Sequence, residues 1–339
     1  MNNSKDDKPQ SVYERPLLPY NEYFGNSRIL AELLREDEKR PWLTSMPQEP
    51  THHKHVVWLG CSVVRTVHIA ESLDDILTAI AVDHVTLGGP SHCCGIVHDQ
   101  RKDHEVGRNM LRQTVGKFDA FKPEKLLYWC PSCDQHLAKS HQEQLSETTK
   151  QRVSVTTFLA SQVDRMNFAK PVLKKIALHW HGGITEQEHD AAAATFLLSK
   201  VPGLEVIDMP PMLSVGRHCT DTNIQKNGEE AYRSLQAEWT RLAKERGADH
   251  IASIYHSCHR EVLHGQQLLD EESRLPVVNY LAVLAESMQL VPREDKYARY
   301  VESGDLDAIA HELEAKAKER GINPNHARRA IVANFSRRT

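Results

Sequence analysis

Five of the seven cysteines in this 339-residue chain fall between positions 61 and 133. They run as Cys61, thirty-one residues, the adjacent pair Cys93 and Cys94 in "SHCCGIVHD", thirty-five residues, then Cys130-Pro-Ser-Cys133. Thiolates bind zinc and are the natural ligands of iron-sulfur centres. A mononuclear zinc site takes four ligands, so a set of five suits a cluster with more than one metal better. Five thiolates around one point would repel strongly without a multiply charged metal centre among them. Two plainer readings stand beside this one. Cys130 and Cys133 alone would make a thioredoxin-like dithiol, which leaves Cys61, Cys93 and Cys94 unexplained. Zinc on four of the five thiols would be a structural staple.

A second set follows at a constant offset. Adding 125 to Cys93, Cys94, Cys130 and Cys133 lands on His218, Cys219, Tyr255 and Cys258, so "HCCG" becomes "RHCT" and "CPSC" becomes "YHSC". Cys61 corresponds best to His181, with Gly182 the match if a residue has slipped. His181, His218, Cys219 and Cys258 are two imidazoles and two thiols, the composition of a tetrahedral zinc site. His179, His256 and His259 are further imidazoles close by, available as replacement ligands or proton relays.

Positioning these residues requires a repeated α/β frame. Apolar runs at 55–60, 82–89, 125–129 and 153–158 recur at 175–180, 204–210, 250–255 and 276–281, about 120 residues on, and each is followed by a helix-like segment. The pattern predicts two tandem units, each with a small parallel sheet flanked by helices, and a helical extension at either end. The expected divisions are 1–50, 51–170, 171–292 and 293–339. In the first unit every cysteine lies at or just beyond the carboxyl end of a strand, where open α/β sheets hold ligands. Residues 28–40 and the region after about 295 read as helices outside the paired units, expected to contact other subunits. Arg328, Arg329, Arg337 and Arg338 form a basic tail, read as a solvated end or a grip for an acidic partner.

Composition narrows the partners. The 42 basic and 46 acidic side chains leave a formal charge of -4, which gives no general attraction for nucleic acid or anionic membrane. The opening stretch lacks an apolar signal region, and no run approaches about 18 apolar residues. A cytoplasmic chain is the expectation, and there clustered cysteines more often bind metal or do redox chemistry than form disulfides.

The five-cysteine pattern, with "LGCS", "CCGI" and "CPSC" around it, resembles the proteins built from two cysteine-rich CCG domains, best represented by the CCG-domain subunit of heterodisulfide reductase. The resemblance implies that Cys61, Cys93, Cys94, Cys130 and Cys133 hold a noncubane [4Fe-4S] cluster, with substrate meeting an open iron on the centre borne by Cys93 and Cys94. It implies redox chemistry on disulfides, thiols or sulfane sulfur, in sulfur oxidation. The second set departs from the family pattern, so zinc, and not a second cluster, is expected there. The implied partners are a small subunit with cubane [4Fe-4S] clusters, a flavin-bearing subunit, and lipoate-binding or sulfur-carrier proteins. The alternatives are a structural zinc-binding assembly subunit, or a CCG electron-transfer subunit of a succinate-, lactate- or glycolate-oxidising complex.

Overall fold

A computed structural model of the chain describes residues 24–35, 42, 44–140, 146–212, 219, 224 and 228–336. Among them, eight strands form two four-stranded sheets, all pairings parallel. The first sheet contains β1 (His55–Gly60), β2 (His84–Gly88), β3 (Lys125–Tyr128) and β4 (Arg152–Ser154) in the order β2-β1-β3-β4. The second repeats that order with β5 (Lys175–His179), β6 (Glu205–Ile207), β7 (His250–Ser253) and β8 (Val277–Asn279) as β6-β5-β7-β8. The α/β architecture with two pseudo-symmetric units is therefore as expected.

The helices are α1 (Asn26–Leu34), α2 (Val67–Ala79), α3 (Ile96–Gln100), α4 (His104–Asp119), α5 (Pro131–Ser140), α6 (Glu147–Lys150), α7 (Val155–Ser161), α8 (Thr185–Ser199), α9 (Glu229–Glu245), α10 (His256–Gln266), α11 (Tyr280–Ser287), α12 (Lys296–Ser303), α13 (Leu306–Glu319) and α14 (Pro324–Phe335). Strand side chains alternate between faces, and a parallel sheet covered on both sides reads as an unbroken apolar run. In β1, Val56 and Trp58 join a core with Phe118 and Leu126, whereas Val57 and Leu59 enter a second core. That second core also contains Ile176, Ala177 and Leu178 of β5, so it runs through both units.

Two expected strands are shorter than their sequences suggested. "VSVTTF" and "PVVNYL" carry β-branched residues, yet both turn into helix almost at once. The Ser154 hydroxyl accepts the Thr156 N–H at 3.1 Å and the Asn279 carbonyl oxygen accepts the Leu281 N–H at 3.1 Å. Side-chain capping, a local bond, thus overrides a weak and context-dependent strand preference.

The units meet where α7 packs on α8 and α2 on α11. The Arg293 guanidinium holds the Asp75 carboxylate of α2 through two bonds, 2.6 and 2.9 Å. The extensions are helical as expected, but the described parts pack on each other. α1 lies against α14, burying Leu30, Leu33, Leu34, Ile331 and Phe335. Lys316 and Arg320 donate to the carbonyls of Arg35 and Glu32. The expectation that these helices serve other subunits is corrected to that extent, because their apolar faces are occupied within the chain. Residues 36–40, the polar start of the chain, Arg337 and Arg338 lie outside the described residues. Arg328 pairs with Asp307 at 2.6 Å. No helix among the described residues is long and apolar enough to cross a membrane.

Candidate metal centre

Each unit leaves its first strand toward one side and later crosses to the other. The switch point therefore lies between β1 and β3, and again between β5 and β7, and ligands of open α/β sheets sit at the carboxyl ends of the strands there. Cys61 follows β1 directly, Cys130 follows β3, and Cys93 and Cys94 lie in the turn after β2. Gly60 has φ +81°, and a Cβ there would meet Cys130 Cβ and Cys133 Sγ, each at 3.2 Å. The bare backbone lets β1 end against the thiols. Gly95, the glycine of "CCG", has φ +83°, and its Cβ would fall 2.5 Å from the Gly107 carbonyl oxygen. That close approach of backbones seats α3 on α4. Thr114 Oγ1 donates to the Cys93 carbonyl at 2.8 Å, and Trp58 Nε1 to the His92 carbonyl at 2.8 Å, which fixes the turn carrying both cysteines.

The five thiols form a string of neighbours: Cys61 beside Cys93, Cys93 beside Cys94, Cys94 beside Cys133, and Cys133 beside Cys130. Cys93, Cys94 and Cys133 are buried, while Cys61 and Cys130 are half-buried and form the open side. The hydrogen bond from Cys133, then that from Cys93, draws the Cys94 thiol down to about 6. The Cys130 thiol is lowered by its bond from Cys133, with help from the Cys133 and Ser132 N–H groups at the start of α5. Cys61 is pushed up by its bond to Cys93 and by burial, and Cys133 by its bonds to Cys130 and Cys94 and by burial. Left to themselves, the thiols share out a few negative charges. Ionising all five needs a cationic centre, and the donor set fits an iron-sulfur cluster in kind and number.

In the second unit the structure brings together His179, His181, Cys219 and Cys258, all buried, with ligand atoms within 4.8 Å of one another. His181 Nε2 lies 3.2 Å from Cys219 Sγ and 3.5 Å from Cys258 Sγ, and His179 Nε2 lies 4.0 Å from Cys219 Sγ. Tetrahedral zinc with ordinary bond lengths separates such atoms by roughly 3.3–3.8 Å, so the group fits that ion with small adjustments. Burial and a bond to Cys258 raise the Cys219 thiol, whereas that bond and the His181 charge hold the Cys258 thiol well below its ordinary range.

Three of the four expected ligands thus stand together, and His218 lies outside the described residues. His179, read from sequence as a spare imidazole, is the additional donor. The signal was present in "HWH" at the end of β5, because alternate residues of an extended chain face the same way. Tyr255, at the position equivalent to Cys130, sends its hydroxyl to Asp190 Oδ2 at 2.7 Å. His259 turns to Ser253 and Asp295.

Fold and site together define a two-unit α/β protein with thiols gathered at the carboxyl ends of parallel strands. Residues 55–138 match the family model described as the cysteine-rich CCG domain, so the resemblance carried by the five cysteines is borne out. Over 244 residues the chain is 25% identical to a subunit of the dihydromethanophenazine:CoB--CoM heterodisulfide reductase of Methanosarcina barkeri (strain Fusaro / DSM 804). The match covers 69% of this chain and 59% of that protein, so the chain spans about three-fifths of its curated relative's length. The crystal structure of a hypothetical protein from Helicobacter pylori superposes with a TM-score of 0.50 at 11% identity, covering 83% of this chain and 56% of that one. That likeness is one of fold alone.

Proposed function

We propose that the chain is an iron-sulfur redox subunit of a multisubunit heterodisulfide-reductase-like complex that acts on thiols, disulfides or sulfane sulfur in cytoplasmic sulfur oxidation. The observation that carries this reading is the convergence of five thiols from three strand ends on one switch point, inside the stretch matched as a CCG domain. The distant heterodisulfide reductase relative supports it.

Residues 51–170 form the cluster unit in this reading, 171–292 the zinc unit, and the regions before and after them flanking extensions. A noncubane [4Fe-4S] cluster bound by Cys61, Cys93, Cys94, Cys130 and Cys133 would supply one-electron chemistry and an iron open to a sulfur ligand. Cys93 and Cys94 would grip it from the dry side. The half-buried rim at Cys61 and Cys130 is where a substrate sulfur would approach, and the positive charge of Arg65 favours thiolate at Cys61. Zinc, which has no redox chemistry, would be held by His179, His181, Cys219 and Cys258 and would lock the ends of β5 and β7 together. Electrons would pass to or from a partner with cubane clusters, and a flavoprotein and a lipoate-binding or sulfur-carrier protein would be further members of the assembly.

Replacing Cys93 and Cys94 together by serine tests the assignment. The protein, purified without oxygen, is expected to lose its iron and acid-labile sulfide. Full iron occupancy in that variant contradicts the reading.

A further inference from the structure

Outside both cysteine sets, His68 of α2, His259 of α10 and Asp295, the residue capping α12, place one ligand atom each within 4.8 Å of one another. His259 Nε2 lies 2.6 Å from Asp295 Oδ2, and His68 Nδ1 lies 3.3 Å from Asp295 Oδ1. His68 and His259 are buried, with 4% and 0% of their side chains exposed, while Asp295 keeps 22% and opens a way in.

The surrounding hydrogen bonds decide which lone pairs face the centre. The Ser253 hydroxyl donates to the Val278 carbonyl at 3.3 Å and its oxygen accepts from Asn279 Nδ2 at 3.3 Å, which leaves that oxygen to accept from His259 Nδ1 at 3.0 Å. With its proton on Nδ1, a neutral His259 directs the Nε2 lone pair straight at the Asp295 carboxylate, and a cation must lie between them. A proton serves for one imidazole, but a second converges on the same carboxylate. The two rings are 5.2 Å apart. Burial lowers His68 to about 4, so at neutral pH it offers a lone pair and no charge. Two neutral imidazoles and a carboxylate are a ligand set for a divalent first-row ion, and 3.3 Å is the separation of two ligand atoms bonded at 2.0–2.1 Å to one tetrahedral centre, by rough geometry. Ser253 behind His259 and the Ala298 N–H on Asp295 Oδ1, at 2.9 Å, are the supporting bonds that hold metal ligands in place.

We infer that His68, His259 and Asp295 form a divalent-cation site, selective for nitrogen- and oxygen-preferring ions such as zinc, that staples the first unit to the second. The ion displaces the proton between His259 and Asp295 and widens their contact by several tenths of an ångström. It joins α2, α10 and the start of α12, and so pins the helix that also carries Cys258.

Zinc bound per chain, measured by equilibrium dialysis with zinc chloride on the full chain, tests this. Asp295→Asn keeps the cap on α12 but removes the charge, and His68→Ala leaves the His259–Asp295 pair intact. Each is expected to bind one zinc fewer than the parent chain, with near-ultraviolet circular dichroism unchanged. His181→Ala is expected to lose a different zinc, so that the double variant Asp295→Asn/His181→Ala loses two. Should Asp295→Asn fail to fold, His68→Ala decides alone. An undiminished zinc complement in His68→Ala overturns the proposal, whatever the iron content of the first unit.

Discussion

Gly95 illustrates how a single residue governs the cluster turn. Its positive φ and the 2.5 Å approach of the Gly107 carbonyl to a Cβ leave no room for a side chain. Gly95→Ala is expected to cost on the order of 1–3 kcal/mol and to lower iron incorporation, because the displaced turn carries Cys93 and Cys94. Denaturant titration with iron analysis checks this, and an unchanged midpoint would contradict it. The five cysteines were legible because the type and spacing of the residues are themselves the chemistry. His179 was half legible, since "HWH" puts two imidazoles on one face but does not say what they face. The group of His68, His259 and Asp295 left no trace in sequence, because its members come from different units and meet only through tertiary packing.

The junctions of β4 with α7 and β8 with α11 are the clearest repeated elements. Ser154 and Asn279 cap their helices two residues on, in the equivalent places "SVTTFLA" and "NYLA". Ser154→Ala and Asn279→Ala are each expected to destabilise by about 1 kcal/mol, the usual worth of an N-cap, read as a shift of the urea midpoint. The larger loss belongs to Asn279, whose Nδ2 also donates to the Ser253 and Ile254 carbonyls. A neutral Asn279→Ala would contradict the account. Apolar runs located all eight strands, but their ends were misjudged at 153–158 and 276–281. β-branched composition is a regional signal, whereas a cap is a single bond that decides where the strand stops.

Across the whole molecule, the two units are held by a continuous core and by polar contacts that cross it. Asp190 of α8 accepts from Thr157 of the first unit at 3.2 Å and from Tyr255 of the second at 2.7 Å. Burial raises its carboxyl above the ordinary aspartate value, more than these donors lower it. The folded chain therefore holds this proton at pH values where the unfolded chain has released it. The resulting stability is full below the ordinary aspartate value and is lost as pH rises through the raised one. The parent chain is expected to lose stability relative to Asp190→Asn as pH rises through that acid window. A difference between the two that does not vary with pH would contradict this. That the halves are pseudo-symmetric was visible in the 125-residue echo, while their common core was not, because each sheet reads as apolar on both faces whether it packs on its own helices or on its neighbour.

The central claim is that one switch point of this fold holds a cluster on five thiols. Iron and acid-labile sulfide per chain, measured on protein purified without oxygen and paired with electron paramagnetic resonance of the oxidised form, test it most directly. The account predicts about four irons with matching sulfide, as a [4Fe-4S] centre requires, and a paramagnetic signal that disappears on reduction. Zinc alone on the first unit, with iron refused on reconstitution, would contradict it and leave the five cysteines as a structural staple.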